Sequence, residues 1–427
     1  MRLKALTWNR YRAFKERQRV ELAPVTIIIG KNGSGKSVIS RLPLLLSSAI
    51  SDNPEGPLNL MAGGVEHSAS FQDLANLRGS LPFSLGFEIC GEEGSFGFET
   101  TLRYVNETRS LAIEHFVLSE MDRTIFDAEI SSEDQLTEAA PTYVLRVESA
   151  AHHTAELKFA GLFPRSDGLD GQIGERLDTI LGLFRTALPT PSYLGPFRAE
   201  PERSMRMPNQ TIRELGPRGE RALEILADDR LRHGGDLVRQ VSEWFAEAMG
   251  QEIYVDTAGD QPKVLIADAG SGFQVSLADT GAGFAQSLPV VVQHFAYRVG
   301  RIKTPVLIVE QPELHLHPAA HGALADLMIQ SSRVGQNWAP ATCIVETHSE
   351  QFIMRLRRRI GEGLSPDAAT IWSLRHRASE DAAAPGEALR VIVFDKTGNP
   401  DAWPTGVFEE TLSDLTALRR SVRARGL

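Results

Sequence analysis

The sequence predicts an α/β fold organised around a phosphate-binding loop. Three observations carry that prediction. Gly30-Lys31-Asn32-Gly33-Ser34-Gly35-Lys36-Ser37 fits the pattern G-x-x-x-x-G-K-[ST]. It stands between a β-branched run, residues 25–29, and a helix-like stretch from 36 to about 50, the strand, loop and helix order that the pattern requires. Far downstream, the apolar run 304–309 ends in acid at Glu310, as a strand does where it meets a phosphate site.

Taken in order, residues 3–8 read as a strand and residues 20–22 as its partner. The run 25–29 is apolar on both faces, as a central parallel strand is. Pro43 interrupts the helical stretch that follows. Residues 83–88, 95–104, 111–118, 142–147 and 155–159 alternate apolar and polar positions between turn residues, which predicts an antiparallel region with one wet face. Apolar spacing turns helical at 177–188 and 211–249, and strands return at 264–277. Residues 304–309 and 341–345 are two further buried-strand candidates, with helices between them and after Ser349. The expected division is 1–80 with the phosphate loop, 81–165 rich in strands, 166–262 a helical insertion, and 263–427 the remainder of the α/β unit.

Composition excludes several classes. The chain has 427 residues, of which 42% are hydrophobic and 23% charged, enough apolar content to bury a core. Cys90 and Cys343 are the only cysteines, so a disulfide scaffold is excluded and a reducing compartment is expected. The net charge of −10 excludes a wholesale basic nucleic-acid binder, while a local basic patch stays open. Apolar runs are strand-length, so a cytoplasmic protein without a membrane span is expected.

The chemistry of the loop follows from its residues. Backbone N–H groups from Gly30 through Ser37, including those of Asn32, Gly33, Ser34 and Gly35, can wrap phosphates, and the helix N-terminus favours the anion. Lys36 would reach the β- and γ-phosphates of ATP, and Ser37 would ligate Mg2+. Glu310 would hold that Mg2+ directly or through water. His315, His317 and His321 lie close in sequence, but no cysteine or acidic ligand is obviously paired with them, so a polar loop or catalytic neighbourhood is favoured over a zinc site.

Several stretches together carry a resemblance: WNRYRAFKERQRVELAPVTIIIGKNGSGKS, PLNLMAGGVEHSASFQDL, YLGPFRAEPER, LADTGAGFAQSLPVVV, VLIVEQPELHLHP, VETHSEQFIMRLRRRI and FDKTGNPDAWPTGVFEE. The chain resembles the ABC-type ATPase heads of the RecF, SMC and OLD group. More narrowly it is similar to prokaryotic AAA-family ATPases with a short C-terminal region of unknown function. The resemblance implies a P-loop NTPase, an ABC-type head with an antiparallel β-rich lobe and a helical insertion. It puts residues 277–284 in the place of the ABC signature, where Gly281 and Gly283 would let N–H groups approach the γ-phosphate bound by another protomer. Relatives usually carry serine where Ala285 stands. His348 matches the switch histidine that touches the γ-phosphate, and Gln72 lies in the region of the Q-loop.

ABC heads usually end the second acidic strand with aspartate and glutamate. This chain has Glu310 and Gln311, and an amide cannot take a proton from water. Slow ATP hydrolysis and a long-lived ATP-bound dimer are therefore expected. Glu313 and His317 are the nearest alternative acid/base candidates. One phosphate loop and one signature per chain imply a homodimer or a higher even-numbered oligomer joined through ATP-sandwiched heads. The segment after His348 is too short for the nuclease of OLD proteins, so a separate effector such as a nuclease is expected, with anti-phage defence as the analogy. Competing readings are an ATP-gated scaffold without hydrolysis and a RecF-like DNA-repair ATPase. Arginines at 355, 357, 358 and 359, and at 419, 420, 423 and 425, are either a DNA or RNA surface or solvated helix faces. Arg198 and Arg203 read as bridges between lobes or as phosphate contacts.

Overall fold

β1 (Arg2–Asn9) and β2 (Gln18–Glu21) pair antiparallel, with Leu6 opposite Val20. Three residues later the chain enters β3 (Val25–Gly30), buried at every position. The phosphate loop leads into α1 (Lys36–Ala49), which carries Pro43 inside it. This is a computed structural model, and it describes residues 1–402 apart from 79–80, 93, 139, 149–151, 208, 259–260, 269–271, 336–337 and 375–387.

A meander follows: β4 (Phe83–Gly91), β5 (Gly94–Val105), β6 (Ser110–Glu120), β7 (Arg123–Ile130), β8 (Thr142–Val147) and β9 (His153–Glu156). With β1 and β2 these make an eight-stranded antiparallel sheet in the order β2-β1-β4-β5-β6-β7-β8-β9. The N-terminal strands thus belong to the same sheet as the 83–156 region. A small hairpin, β10 (Phe159–Ala160) and β11 (Phe163–Pro164), leads to α2 (Gly171–Ala187).

The second half contains β12 (Ser192–Leu194), α3 (Ala222–Arg232), α4 (Asp236–Met249), and a three-stranded sheet of β13 (Gln251–Asp256), β14 (Lys263–Asp268) and β15 (Gln274–Ser276). Then come α5 (Ala282–Arg298), β16 (Val306–Glu310), α6 (Pro318–Ser331), β17 (Thr342–Glu346), α7 (Glu350–Gly361), β18 (Ala369–Leu374) and β19 (Leu389–Ile392). The six-stranded sheet runs β12-β16-β17-β3-β18-β19. It is parallel throughout except where β19 pairs antiparallel with β18.

That sheet is a wall between two cores. Successive side chains on a strand face opposite ways. Ile28, Val306, Ile308, Ile344 and Trp372 enter the core shared with α1, α2 and the antiparallel sheet. Ile27, Ile29, Leu307, Val309, Val345 and Ile371 enter the core built with the C-terminal helices. This is why these strands read as unbroken apolar runs. In the first core Phe98 and Phe184 meet edge to face at 5.1 Å, and Phe116 and Phe163 at 5.0 Å, the arrangement aromatic quadrupoles favour. Trp372 ties the wall to the antiparallel sheet by donating its indole N–H to the Glu21 carbonyl at 2.9 Å.

Two departures from the sequence reading have physical causes. Helical spacing was expected from 211, yet the helix begins at Ala222. Gly216 and Gly219 adopt positive φ in that stretch, and a Cβ on Gly219 would stand 2.4 Å from Pro289. Within the expected helical insertion, the three residues of β12 add an edge strand to the parallel sheet. No helix among the described residues is long and apolar enough to cross a membrane. The 403–408 stretch of the family-like ending and the arginines at 419, 420, 423 and 425 lie outside the described residues.

Candidate functional site

The phosphate loop is fixed by the end of β3 and the start of α1. Gly35 caps the helix with φ 101°, a left-handed conformation that favours glycine. A Cβ on Gly35 would stand 3.4 Å from the Phe14 ring, and one on Gly30 would stand 2.9 Å from the Leu374 carbonyl oxygen. The loop is therefore pressed between the N-terminal segment and β18.

Lys36 and Ser37 find partners within the chain, whereas the Ser34 hydroxyl is buried without one. Lys36 donates from Nζ to the carbonyls of Gly30 at 2.9 Å and Lys31 at 3.1 Å. It also stands 3.8 Å from the Glu346 carboxylate. Burial lowers the Lys36 pKa, against the pull of Glu346 and Glu310. Ser37 donates its hydroxyl to Glu346 Oε2 at 3.1 Å.

Glu310 is bonded to α1. Its carboxylate accepts a fork of two N–H bonds from Arg41, at 2.8 and 2.7 Å, and the Ser40 hydroxyl at 2.9 Å. The acid beside Ser37 is Glu346. The cause is topological: β17 lies next to β3, whereas β16 lies one strand further out. Their register sets Glu310 opposite Glu346. Burial, then the charge of Glu310, pushes the Glu346 pKa up to about 7.

The turn after β16 is held from both sides. Gln311 takes φ 48° and donates its N–H to the Glu346 carbonyl at 2.7 Å. Arg198, only 3% exposed, donates to the carbonyls of Glu310 at 2.9 Å and Gln311 at 3.2 Å. Burial brings its pKa down to about 10. Glu313 accepts the His348 backbone N–H at 2.7 Å, joining this turn to the one after β17. Burial, followed by the nearby Lys36 charge, lowers the His348 pKa. Lys36, Ser37, Glu310, Gln311, Glu313, Glu346 and His348 thus gather at one end of the parallel sheet. Gln72 is exposed and donates instead to Asn106 Oδ1 at 3.3 Å.

The 277–284 segment is built differently. Ser276 caps a short 3-10 turn and Gly281 caps α5. No atom lies within 4 Å of a Cβ placed on Gly281, whereas one on Gly283 would stand 2.9 Å from the His315 carbonyl oxygen. Gly283 therefore serves close packing inside the chain, and Gly281 alone of the pair faces open space. Asp279 takes a two-bond fork from Arg203 at 2.6 and 2.7 Å. Among the described residues no hydrogen bond or ion pair joins this segment to the chain's own phosphate loop.

His317 and His321 after β16 and the arginines of α7 have partners within the chain. His321 bonds to the Ser349 hydroxyl and the Leu316 carbonyl, and His317 caps α6 through the Ala319 N–H. Among the described residues no group of three or more histidine, cysteine or acidic side chains could hold a metal ion. On α7, Arg355 and Arg359 both bind Asp326 of α6. Arg358 and Arg359 bind Glu362, and Arg357 donates to the Gly398 carbonyl. Arg355 and Arg359 thus tie α7 to α6, while Arg358 bonds next to its own helix.

Comparison with known proteins gives a consistent picture. An AAA ATPase domain family matches residues 223–353. No curated protein matches by sequence. Among solved structures, an SMC head bound to the C-terminal winged-helix domain of ScpA aligns with TM-score 0.50 and 12% identity, over 92% of this chain and 98% of that one. An SMC head from Thermotoga maritima aligns with TM-score 0.42 and 10% identity, over 92% of this chain and all of that one. A Pyrococcus furiosus SMC head with an extended coiled coil, bound to the C-terminal domain of ScpA, aligns with TM-score 0.43 and 13% identity, over 98% and 99% of the two chains. The first of these carries the likeness in fold.

Proposed function

The chain has the fold of an ABC-type ATPase head of the SMC and RecF group, and on that premise we propose that it binds and slowly hydrolyses ATP to control a separate effector. The observation that carries the reading is the gathering of Lys36 and Ser37 with the turns after β16 and β17. The donors there are a hydroxyl and carboxylates, the hard oxygen set that suits Mg2+. When bound, Mg2+ would neutralise charge on the β- and γ-phosphates.

The chain's own residues do the rest. Lys36 exchanges loop carbonyls for phosphate oxygens. The free N–H groups at the start of α1 take others. Gln311 orients water without accepting its proton. His348, on the turn that Glu313 ties to the end of β16, would donate to the terminal phosphate as a neutral ring.

The outward-facing Gly281 supports a second proposal, that a partner copy's signature segment closes over the nucleotide to give a homodimer or larger even-numbered assembly. The effector would be another protein. The SMC head aligned above was solved with ScpA bound, which supports partner docking by a head of this fold. The setting we propose is cytoplasmic, in anti-phage defence or another nucleic-acid-linked process. The test is ATP turnover together with light scattering, with and without ATP. Absence of ATP binding, or a strict monomer with ATP bound, would defeat it. A scaffold that binds without hydrolysing is the second reading, favoured by Gln311. Phosphate release in a single turnover separates the two.

A further inference from the structure

We propose that Arg198 is a positioning residue for ATP hydrolysis: by holding the carbonyls of Glu310 and Gln311, it fixes the turn that aims the Gln311 side chain. The proposal rests on the nucleotide reading above, in which Gln311 orients the water. It directs this arginine toward the turn, rather than toward phosphate or a second lobe.

Topology gives the first argument. β12 is the outer neighbour of β16, with Leu194 opposite Val309. The chain leaving β12 therefore runs beside the chain leaving β16, and Arg198 arrives at the Glu310–Gln311 peptide. The backbone is fixed on either side of it. Gly195 donates its N–H to the Pro217 carbonyl at 2.8 Å, and Ala199 donates to the Arg218 carbonyl at 2.9 Å.

Burial gives the second. Phe197 is 78% exposed and Arg198 is 3% exposed. Apolar burial alone would turn this pair the other way, because a buried charge is costly unless it is bonded. What offsets that cost is the turn after β16. One terminal nitrogen of Arg198 donates to the Glu310 carbonyl at 2.9 Å and the other to the Gln311 carbonyl at 3.2 Å. Two acceptors met by two nitrogens of one planar group is a geometry that lysine, a point charge, cannot copy. Burial lowers the Arg198 pKa to about 10, against the pull of Glu313, so the group stays charged at neutral pH.

Conformation gives the third. Gln311 holds φ at 48°, a left-handed conformation that persists in a residue with a side chain where its surroundings impose it. Its N–H is tied to the Glu346 carbonyl at 2.7 Å. Arg198 restrains the carbonyls before and after that N–H. Without the guanidinium, two backbone acceptors lose a donor and the amide that orients water loses its fixed root.

The test compares wild type, Arg198→Lys, Gln311→Ala and the double variant. Three quantities are measured: ATP affinity by calorimetry in Mg2+, phosphate release in a single turnover, and hydrogen exchange along the chain. Arg198→Lys should bind ATP within about twofold of wild type and release phosphate about 10- to 100-fold more slowly, as a misplaced group does. Its exchange should quicken at the turn after β16 and stay unchanged in the antiparallel sheet. Gln311→Ala should be slow as well. Adding Arg198→Lys to it should slow it no further, because residues that act as one unit are not additive. An unchanged rate in either single variant, or losses that multiply in the double variant, overturns the assignment. So does a loss of ATP affinity as large as the loss of rate, or exchange that quickens across the whole chain. Should Arg198→Lys fail to fold, Arg198→Gln, able to reach one carbonyl, takes its place under the same criteria. Wild type that binds no ATP, or binds it and releases no phosphate, defeats the hydrolytic reading and takes the assignment with it. Wild type that releases phosphate no faster than Arg198→Lys defeats the assignment alone.

Discussion

The phosphate loop and the 277–284 segment are both glycine-rich turns that start a helix, yet one is closed and the other open. Lys36 and Ser37 are bonded within the chain. Around Gly281 there is space, and the Asp279–Arg203 pair beside it is exposed to solvent. In the first turn Lys36 and Ser37 have partners, while the Ser34 hydroxyl is buried without one. The second presents a helix N-terminus that nothing among the described residues fills. A site assembled from one of each, across a two-fold axis, would use both.

That contrast can be broken at the closed end first. Gln311→Glu gives the turn after β16 a side chain able to take a proton. Turnover under saturating ATP should rise by about 100-fold, the lower range for general-base assistance. An unchanged rate would mean that the amide is not what limits hydrolysis. Lys36→Ala removes the charge that must move onto phosphate, and calorimetry should record ATP affinity weakened by about ten- to a hundredfold.

At the open end the two glycines should separate. Gly283→Ala forces a Cβ to 2.9 Å from the His315 carbonyl oxygen, a backbone contact that cannot swing away. It should cost about 1–3 kcal/mol in a denaturant melt. Gly281→Ala meets no atom within 4 Å and should stay within about 0.5 kcal/mol. If that variant also loses the ATP-dependent dimer in light scattering, the open face is the shared one.

A further effect concerns acid. His294, on α5, is buried against the Ser331 hydroxyl. Burial, then the nearby Arg298, holds its pKa down from 6.5 to about 3. The unfolded chain takes up the proton as pH falls through 6.5, while the folded chain refuses it until about 3. This contribution is whole above 6.5 and is lost progressively below it, by about 2 kcal/mol at pH 5. The drop in melting temperature between pH 8 and pH 5 should be smaller in His294→Gln. An equal drop in both proteins would show that other groups govern the acid limb.

Much of this was legible in the sequence, for identifiable reasons. The parallel strands stood out because they feed two cores and carry no polar face. The phosphate loop stood out because its glycines and its Lys36-Ser37 pair admit few other uses. Glu346 was missed although it follows the same rule that found Glu310, an apolar strand ending in acid. Applying that rule once more, at residues 341–346, would have found it. Arg355 and Arg359 could not be read from their own helix, because their partner Asp326 lies on α6. β12 was invisible because three residues hold no period, and its membership depends on pairing with β16.

The short passage from β2 to β3 has a mechanical consequence. Only residues 22–24 separate the antiparallel sheet from the root of the phosphate loop. The Trp372 indole pins the same corner to β18, and Phe14 leans on Gly35 from the other side. The antiparallel sheet and the root of the phosphate loop therefore share one short, hydrogen-bonded corner.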